Sequence, residues 1–367
     1  MRTLSKILIG LLVVVVLGIS SLAVALSHSS ACGTAPALAP SRPMKAALHR
    51  CYGSAGIVRV ETIERPVAAD QGVLVRVHAT SINPLDWHTM HGEPYLMRIG
   101  SGWGTPIDPS LGTDFAGTVE AVGKLVTRFK PGDEVFGIGH AAFAQYLRLP
   151  QGASMVLKPA NLTFEQAAAA PVAGITALQA LRDHGQLKPG QKVLINGAGG
   201  GVGTFAVQIA KALGADVTAV TNAGSIALMR SLGADHVIDY TREDFTANTV
   251  RYDLILDMSG NHPLSAYRRV MTPTGTYVLA GDTSKGAWGG PLAGFGKALI
   301  VAKFVNQKLV PFFAQTNPAD LAILADMLQK GQVKPVIDRQ YRLDQIAEAI
   351  GYQETGHARG KVLVTME

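Results

Sequence analysis

Ile82-Asn-Pro-Leu-Asp-Trp-His-Thr-Met-His-Gly-Glu-Pro94 places two histidines, two acids and an amide within a few residues of a turn. His88 and His91 are spaced i, i+3, which puts both imidazoles on one side of a helix, where they could ligate a metal if a third ligand joined them. The sequence supplies no evident third ligand. It has only two cysteines, Cys32 and Cys51, so a four-thiolate structural zinc lobe is excluded. The same residues suit metal-free chemistry: an imidazole can deliver a proton near neutral pH, and a side-chain amide can donate to a substrate oxygen. His88 is thus the expected proton donor and Asn83 the expected hydrogen-bond donor. Asp86 is expected to buttress the loop by accepting backbone hydrogen bonds. His91 is expected nearer the entrance.

A second stretch, VLINGAGGGVGTFAVQIAKALGA, runs from a buried strand through a Gly-rich turn straight into a helix. Glycines let the backbone turn tightly and let a pyrophosphate approach the free N–H groups at a helix start. The expected cofactor loop is Gly197, Gly200, Gly201, Val202 and Gly203. The strict G-x-G-x-x-G is not met, because its first position falls on Ala198. NAD sites usually carry an acid about 20 residues on, at the end of the next strand. Here that region reads AVTNAGS and offers Thr221, Asn222 and Ser225 without a carboxylate. These groups can donate to a 2′-phosphate, with Arg230 and Tyr240 the nearest further candidates. NADPH is therefore expected over NADH.

These residues need two kinds of scaffold. From residue 44 to about 165 the chain shows short β-rich segments between Gly and Pro, the pattern of a compact β domain. From Thr163 it turns helical and then alternates strand and helix, as VLIN, GTFAVQIAKALG, DVTAV, SIALMRSLG, HVID, LILD and TYVLA. That alternation implies a parallel, doubly wound sheet. Phe205, Ile209 and Leu213, at i, i+4 and i+8, give one helix an apolar face for that sheet. The stretch from Pro291 to Phe313 reads as mostly helical, and the C-terminal end reads helix, strand, helix, strand. The expected divisions are 1–43 anchor and linker, 44–168 first part of the catalytic domain, 169–305 nucleotide domain, and 306–367 completing the catalytic domain.

Five of the 33 basic residues and no acid fall in positions 1–50, leaving 28 basic and 27 acidic residues in the body. A near-neutral body without a basic stripe argues against nucleic acid. Ile7 to Leu26 is a 20-residue uncharged run preceded by Arg2 and Lys6, the length that crosses a hydrocarbon core. A cleavable signal ending at Ala23-Val24-Ala25 is the rival, but the run is longer than an ordinary signal core. A single-pass N-terminal anchor is expected, followed by a Pro-rich linker from Ser27 to Pro43. Charge flanks lean slightly toward an outer body, whereas a dissociable NADPH site favours the cytoplasm, where the body is expected. Cys32 and Cys51 are open to either a disulfide or two free thiols.

Several motifs together carry a resemblance: NPLDWH at 83–88, GTDFAG at 112–117, VTRFKPGDEVFG at 126–137, AAAAPVAGITALQAL at 167–181, the Gly-rich loop, SLGADHVIDY at 231–240 and GHARGKVLV at 356–364. Over Met44 to Met366 the chain resembles the medium-chain dehydrogenase/reductase superfamily, most closely its zinc-independent quinone oxidoreductase (zeta-crystallin-like) branch. The resemblance implies an α/β protein with a GroES-like catalytic domain, a Rossmann domain and an active cleft between them, with a homodimer as the family expectation. It places Thr176 near the nicotinamide. Zinc-dependent members carry ligands where this chain has Asn83, Thr113 and Val172, so no catalytic metal is expected. Without zinc to hold alkoxide charge, hydride transfer favours acceptors that spread charge by conjugation. The expected function is NADPH-dependent reduction of a quinone or an α,β-unsaturated carbonyl. The alternatives are a membrane-tethered NADPH-binding or redox-sensing protein with little turnover and, less favoured, a zinc-type alcohol dehydrogenase.

Overall fold

A computed structural model of the chain describes residues 2–34, 39–281 and 287–366, with side chains from Val14 onward apart from residues 290–292. The chain opens with helix α1 (Arg2–Ser27). Strands β1 (Pro43–Leu48) and β2 (Arg59–Glu64) then pair antiparallel. The catalytic half continues through β3 (Gly72–Ser81), helix α2 (Pro84–His91), helix α3 (Arg98–Ser101), β4 (Asp114–Val122), β5 (Glu134–Ile138), β6 (Tyr146–Pro150) and β7 (Met155–Leu157). Helices α4 (Phe164–Ala168) and α5 (Pro171–Gln179) lead into the nucleotide half.

That half runs β8 (Lys192–Asn196), α6 (Gly201–Ala212), β9 (Asp216–Thr221), α7 (Ile226–Ser231), β10 (His236–Asp239), β11 (Tyr252–Asp257), α8 (Leu264–Arg269), β12 (Met271–Leu279), α9 (Gly290–Val301) and β13 (Lys308–Pro311). The chain closes with α10 (Pro318–Gln329), β14 (Ile337–Arg342), α11 (Ile346–Glu354) and β15 (Lys361–Thr365).

Among the described residues, six parallel strands lie in the order β10-β9-β8-β11-β12-β13. The order reverses between β8 and β11, which opens a crevice at their carboxyl ends, where doubly wound sheets bind ligands. Phe205 and Ile209 of α6 are fully buried, and Leu213 packs at the margin of the same core. The second sheet runs β14-β15-β3-β4-β5-β7, with β6 on β3. Its β15 pairs antiparallel with β3, so the last strand of the chain completes the catalytic half.

Two expectations change. The boundary at 305/306 is too early: Leu309 and Val310 pair with β12 and make β13 the sixth strand of the nucleotide sheet. The chain rejoins the catalytic sheet only at β14. The expected linker is also partly structured. Ser30 N–H donates to Gly104 O at 2.9 Å, and Cys32 and Cys51 form a disulfide. Arg98, almost fully buried, binds the carbonyl oxygens of Leu26 and His28 at 3.0 and 2.8 Å. A buried guanidinium needs acceptors for its fixed fork of donors, and this stretch of main chain provides them.

The expected anchor lies within α1, but its side chains before Val14 fall outside the described residues. Among the described residues no helix is long and apolar enough to cross a membrane.

Candidate active site

Four elements converge on the candidate site: the end of β3, the start of α2, the start of β4 and the start of β15. Pro84 opens α2 at the first helical position, where its missing N–H costs nothing. Asp86, two residues on, reaches back through Oδ2 to the Asn83 N–H at 2.7 Å, and its Oδ1 accepts from Thr113 Oγ1 at 3.2 Å. Asp114 opens β4 fully buried. Its Oδ2 accepts from Ser81 Oγ at 2.7 Å and Asn83 Nδ2 at 2.9 Å, and its Oδ1 accepts the Val172 N–H at 2.9 Å. The two carboxylates thus draw together Asn83, Thr113 and Val172, which are far apart in sequence.

Lys361, at the start of β15, completes the cluster. Its ammonium donates to Asn83 Oδ1 at 2.6 Å and to Ile82 O at 3.1 Å, and pairs with Asp114 Oδ2 at 3.3 Å. Lys361 is 3% exposed, so this is a desolvated charge held by two protein oxygens and a carboxylate. Burial is the leading effect on Asp86 and pushes its carboxyl up to about 7, with the neighbouring Asp114 adding to the rise and the Asn83 amide opposing it. Sequence reading missed Lys361. Its signal was a single lysine at the head of the otherwise apolar strand KVLVT.

This donor set does not fit zinc. A catalytic zinc takes about three N, S or O ligands. Here Val172 has none, and both Asn83 ends and both carboxylates are engaged by protein groups. The amide hydrogens of Asn83 point to Asp114 and to Ser81 O at 3.4 Å. The structure therefore places Asn83, 2% exposed, inside this cluster without a spare donor for substrate.

His88 and His91 diverge. His88 stacks on Trp87 with ring centroids 3.8 Å apart and contacts Glu93 O through Nδ1 at 3.0 Å. A carbonyl can only accept, so the proton sits on Nδ1 and the Nε2 of the neutral ring is an acceptor. Burial, the largest influence, lowers the His88 pKa, against the opposing contact with the Glu93 main chain. The proton donor expected at this position thus has its one proton committed to a carbonyl. His91 Nε2 faces Glu354 at 2.8 Å. Thr176 is nearly buried in α5, and its hydroxyl donates to Val172 O at 2.7 Å.

The Gly-rich turn, which adjoins this cluster at Lys361, is shaped by close backbone approach. Gly197 has φ +85°, and Gly200 caps α6 from extended backbone. A Cβ on Gly203 would run into the carbonyl oxygens of Gly197 and Ala198, and one on Gly199 would meet Thr221 Oγ1. At the end of β9, Asn222 Oδ1 and Ser225 Oγ are buried without a partner, while Tyr240 is exposed and its N–H binds Thr221 O. Orphaned polar atoms beside an open helix start fit the ribose and phosphates of a dinucleotide. Arg359, absent from the sequence-based reading, lies over this loop with Nη1 donating to Gly224 O at 3.2 Å. Nothing in the sequence links it to a loop 135 residues earlier. The two halves also meet directly, since Gly360 N–H donates to Gly199 O at 2.9 Å.

Residues 69–160 match the alcohol dehydrogenase GroES-like domain, and residues 232–364 match the zinc-binding dehydrogenase family. The chloroplast envelope quinone oxidoreductase homolog of Arabidopsis thaliana is 32% identical over 338 residues, covering 88% of this chain and 98% of that protein. The 2-methylene-furan-3-one reductase of Solanum lycopersicum is 32% identical over 355 residues, covering 92% and 83%. Among solved structures, the quinone oxidoreductase from Coxiella burnetii superposes with TM-score 0.78 at 29% identity, covering 89% of this chain and all of that one.

Proposed function

The chain belongs to the medium-chain dehydrogenase/reductase superfamily as an NAD(P)H-dependent oxidoreductase, and from that membership we propose that it transfers hydride from NADPH to a quinone or an α,β-unsaturated carbonyl without zinc. The observation that carries the reading is the buried Asn83–Asp114–Lys361 cluster, in which Asn83 stands at a position where zinc-dependent members carry a ligand by the resemblance. Asn83, Thr113 and Val172 make a poor ligand set for a Lewis acid, and the Asn83 amide hydrogens are taken by protein oxygens, which supports an acceptor whose own conjugation spreads the incoming charge.

A bound nicotinamide cofactor supplies the hydride. Gly197 to Gly203 would hold its pyrophosphate at the start of α6, and Thr221, Asn222, Ser225 and Arg359 would supply groups for a 2′-phosphate. Tyr240, exposed at the end of β10, stays a candidate at the rim. The Asp86–Asp114–Lys361 cluster adjoins the Gly-rich turn at Lys361. Thr176 would lie near the nicotinamide, as the resemblance implies, and we read His88 as a residue that positions the loop, with the product's proton taken from water.

NADPH oxidation by the full chain across benzoquinones, enones and simple aldehydes tests this. Turnover is expected with the first two, insensitive to chelators; aldehyde reduction lost on chelation would overturn the metal-free reading. His88→Ala is expected to hold turnover within about threefold, against the roughly 100-fold or greater loss that a true proton donor would give. Arg359→Ala is expected to raise KM for NADPH about tenfold, the size of one charge-assisted hydrogen bond, and to leave KM for NADH unchanged. A lower KM for NADH than NADPH in the parent protein would reject the NADPH preference.

We also propose that α1 is a single-pass anchor. Val14, Val15, Val16, Leu17, Ile19, Leu22 and Val24 are all exposed and span every side of the helix, a surface suited to lipid. The homodimer stays what the family resemblance implies; among the described residues β13 is the last strand on one side of the nucleotide sheet. Cytoplasmic placement of the body follows from NADPH supply, while the Cys32–Cys51 disulfide is the counter-argument, since such bonds persist in oxidising compartments. Reporter fusions after residue 367 decide the side: activity only outside removes the cytoplasmic placement.

A further inference from the structure

The emergent end of α1 is not on a loose tether. Leu26 is 1% exposed, and the guanidinium of Arg98 ties two segments together. Nη1 donates to Leu26 O, His28 O and Ser29 Oγ, at 2.8 to 3.2 Å. On its other side Nη2 donates to His91 O and Nε to Gly92 O, both at 2.9 Å, at the C-terminal end of α2. The rings of Tyr52 and Tyr95 lie 4.3 and 4.6 Å from this cation. Ser30 N–H to Gly104 O and the Cys32–Cys51 bond add two further ties. The apolar helix is therefore fixed against the helix that carries Asp86, His88 and His91.

The segment that receives these ties has an unusual surface. Leu85, Leu96, Ile99, Trp103 and Ile107 are 47–78% exposed. From Pro84 to Ile107 the only charged side chains of Asp, Glu, Lys or Arg are Asp86 and Arg98, both buried, and Glu93, half-buried. Exposed apolar side chains mark an interaction surface; the exposed acid that follows it, Asp108, is paired with His140 at 2.9 Å, and an exposed tryptophan suits a headgroup region. The helix held rigidly beside it identifies the occupant: whatever lipid receives α1 also lies next to this segment.

We propose that the surface bearing Leu85, Leu96, Ile99, Trp103 and Ile107 rests in the headgroup region of the bilayer entered by α1, and that the cleft walled by α2 takes its acceptor, an alkyl-tailed quinone or enone, from the lipid phase. The proposal rests on the anchor and on the hydride acceptor class given above, and its test separates the three.

The full chain is reconstituted into phosphatidylcholine vesicles with acyl chains brominated near the headgroup, and tryptophan emission is compared between the parent and Trp103→Phe. Emission at Trp103 is expected to be quenched, and an Ile99→Asp/Ile107→Asp variant is expected to lose that quenching. With NADPH, the same variant is expected to show a KM for a decyl-tailed benzoquinone in vesicles raised at least about tenfold. Its KM for unsubstituted benzoquinone is expected to stay unchanged. Protein that floats with vesicles but shows no Trp103 quenching overturns the lipid-facing surface and leaves the anchor standing. Protein that fails to float overturns anchor and surface together. Quenching at Trp103 without reduction of either quinone overturns the acceptor class and with it the lipid-drawn substrate, while the surface assignment stands. A variant that affects both quinones equally overturns delivery through the lipid.

Discussion

Lys361→Met is expected to lower the unfolding free energy by about 3–5 kcal/mol, the cost of leaving one half of a buried ion pair. The ammonium is 3% exposed and lies against Asn83 Oδ1, Ile82 O and Asp114 Oδ2. Methionine fills much of the same volume, so the loss is one of charge and hydrogen bonding more than of packing. It leaves Asp114, fully buried, with three neutral donors from Ser81, Asn83 and Val172. A second change, Asp114→Asn in the Lys361→Met background, removes the orphaned charge and is expected to restore part of the stability. Urea denaturation of the parent, single and double variants measures both effects; a Lys361→Met loss under about 1 kcal/mol would reject the ion pair as a structural keystone.

The same cluster gives stability a pH slope. The Asp86 carboxyl is raised from 3.8 to about 7 in the folded protein. Between those values the folded state binds the proton and the unfolded state releases it. The contribution of this group is thus fully present below about pH 4 and is lost as pH rises through about 7. Denaturation midpoints at pH 5 and pH 7.5 are expected to differ in that direction, and Asp86→Asn is expected to flatten the difference.

Gly203→Ala is expected to weaken NADPH binding by about 5- to 150-fold, because the added methyl must push backbone aside, at a cost of about 1–3 kcal/mol. Its Cβ would meet the carbonyl oxygens of Gly197 and Ala198, and neither is the movable end of a side chain. The loop would have to open where it forms the start of α6, disturbing the N–H groups proposed to receive the pyrophosphate. Gly203→Asp is expected to go further and abolish binding, since its carboxylate faces the phosphates. The measurement is a fluorescence titration with NADPH on protein whose circular dichroism matches the parent. Unchanged affinity in Gly203→Ala would remove the loop from the cofactor site. Since Gly360 N–H also binds Gly199 O, a shift of this loop is expected to reach Lys361 and the cleft wall.

Much of this molecule was legible in the sequence because the determinants are local. The apolar strands, the helix period of Phe205 and Ile209, and the glycine turn between them depend on neighbours within a few residues, and the parallel sheet follows from their alternation. Sequence also marked Asp86 as an acceptor of backbone hydrogen bonds, because Asp at the third helical position reaches back to the cap over a short path.

Tertiary structure decided what each polar group faces. Asn83 meets Lys361 across 278 residues, Arg359 meets Gly224 across 135, and Arg98 meets Leu26 across 72. No periodicity encodes such pairs; they exist because sheets and helices bring distant ends together and buried charges must find partners there. The strand at Lys308–Pro311 followed the same logic, since its apolar residues suit helix or strand until β12 offers an open edge. Sequence thus determined the kinds of element and the chemistry at hand. Three-dimensional packing determined that Asn83 is engaged by Asp114 and Lys361, that His88 faces Glu93 O, and that Arg359 reaches Gly224.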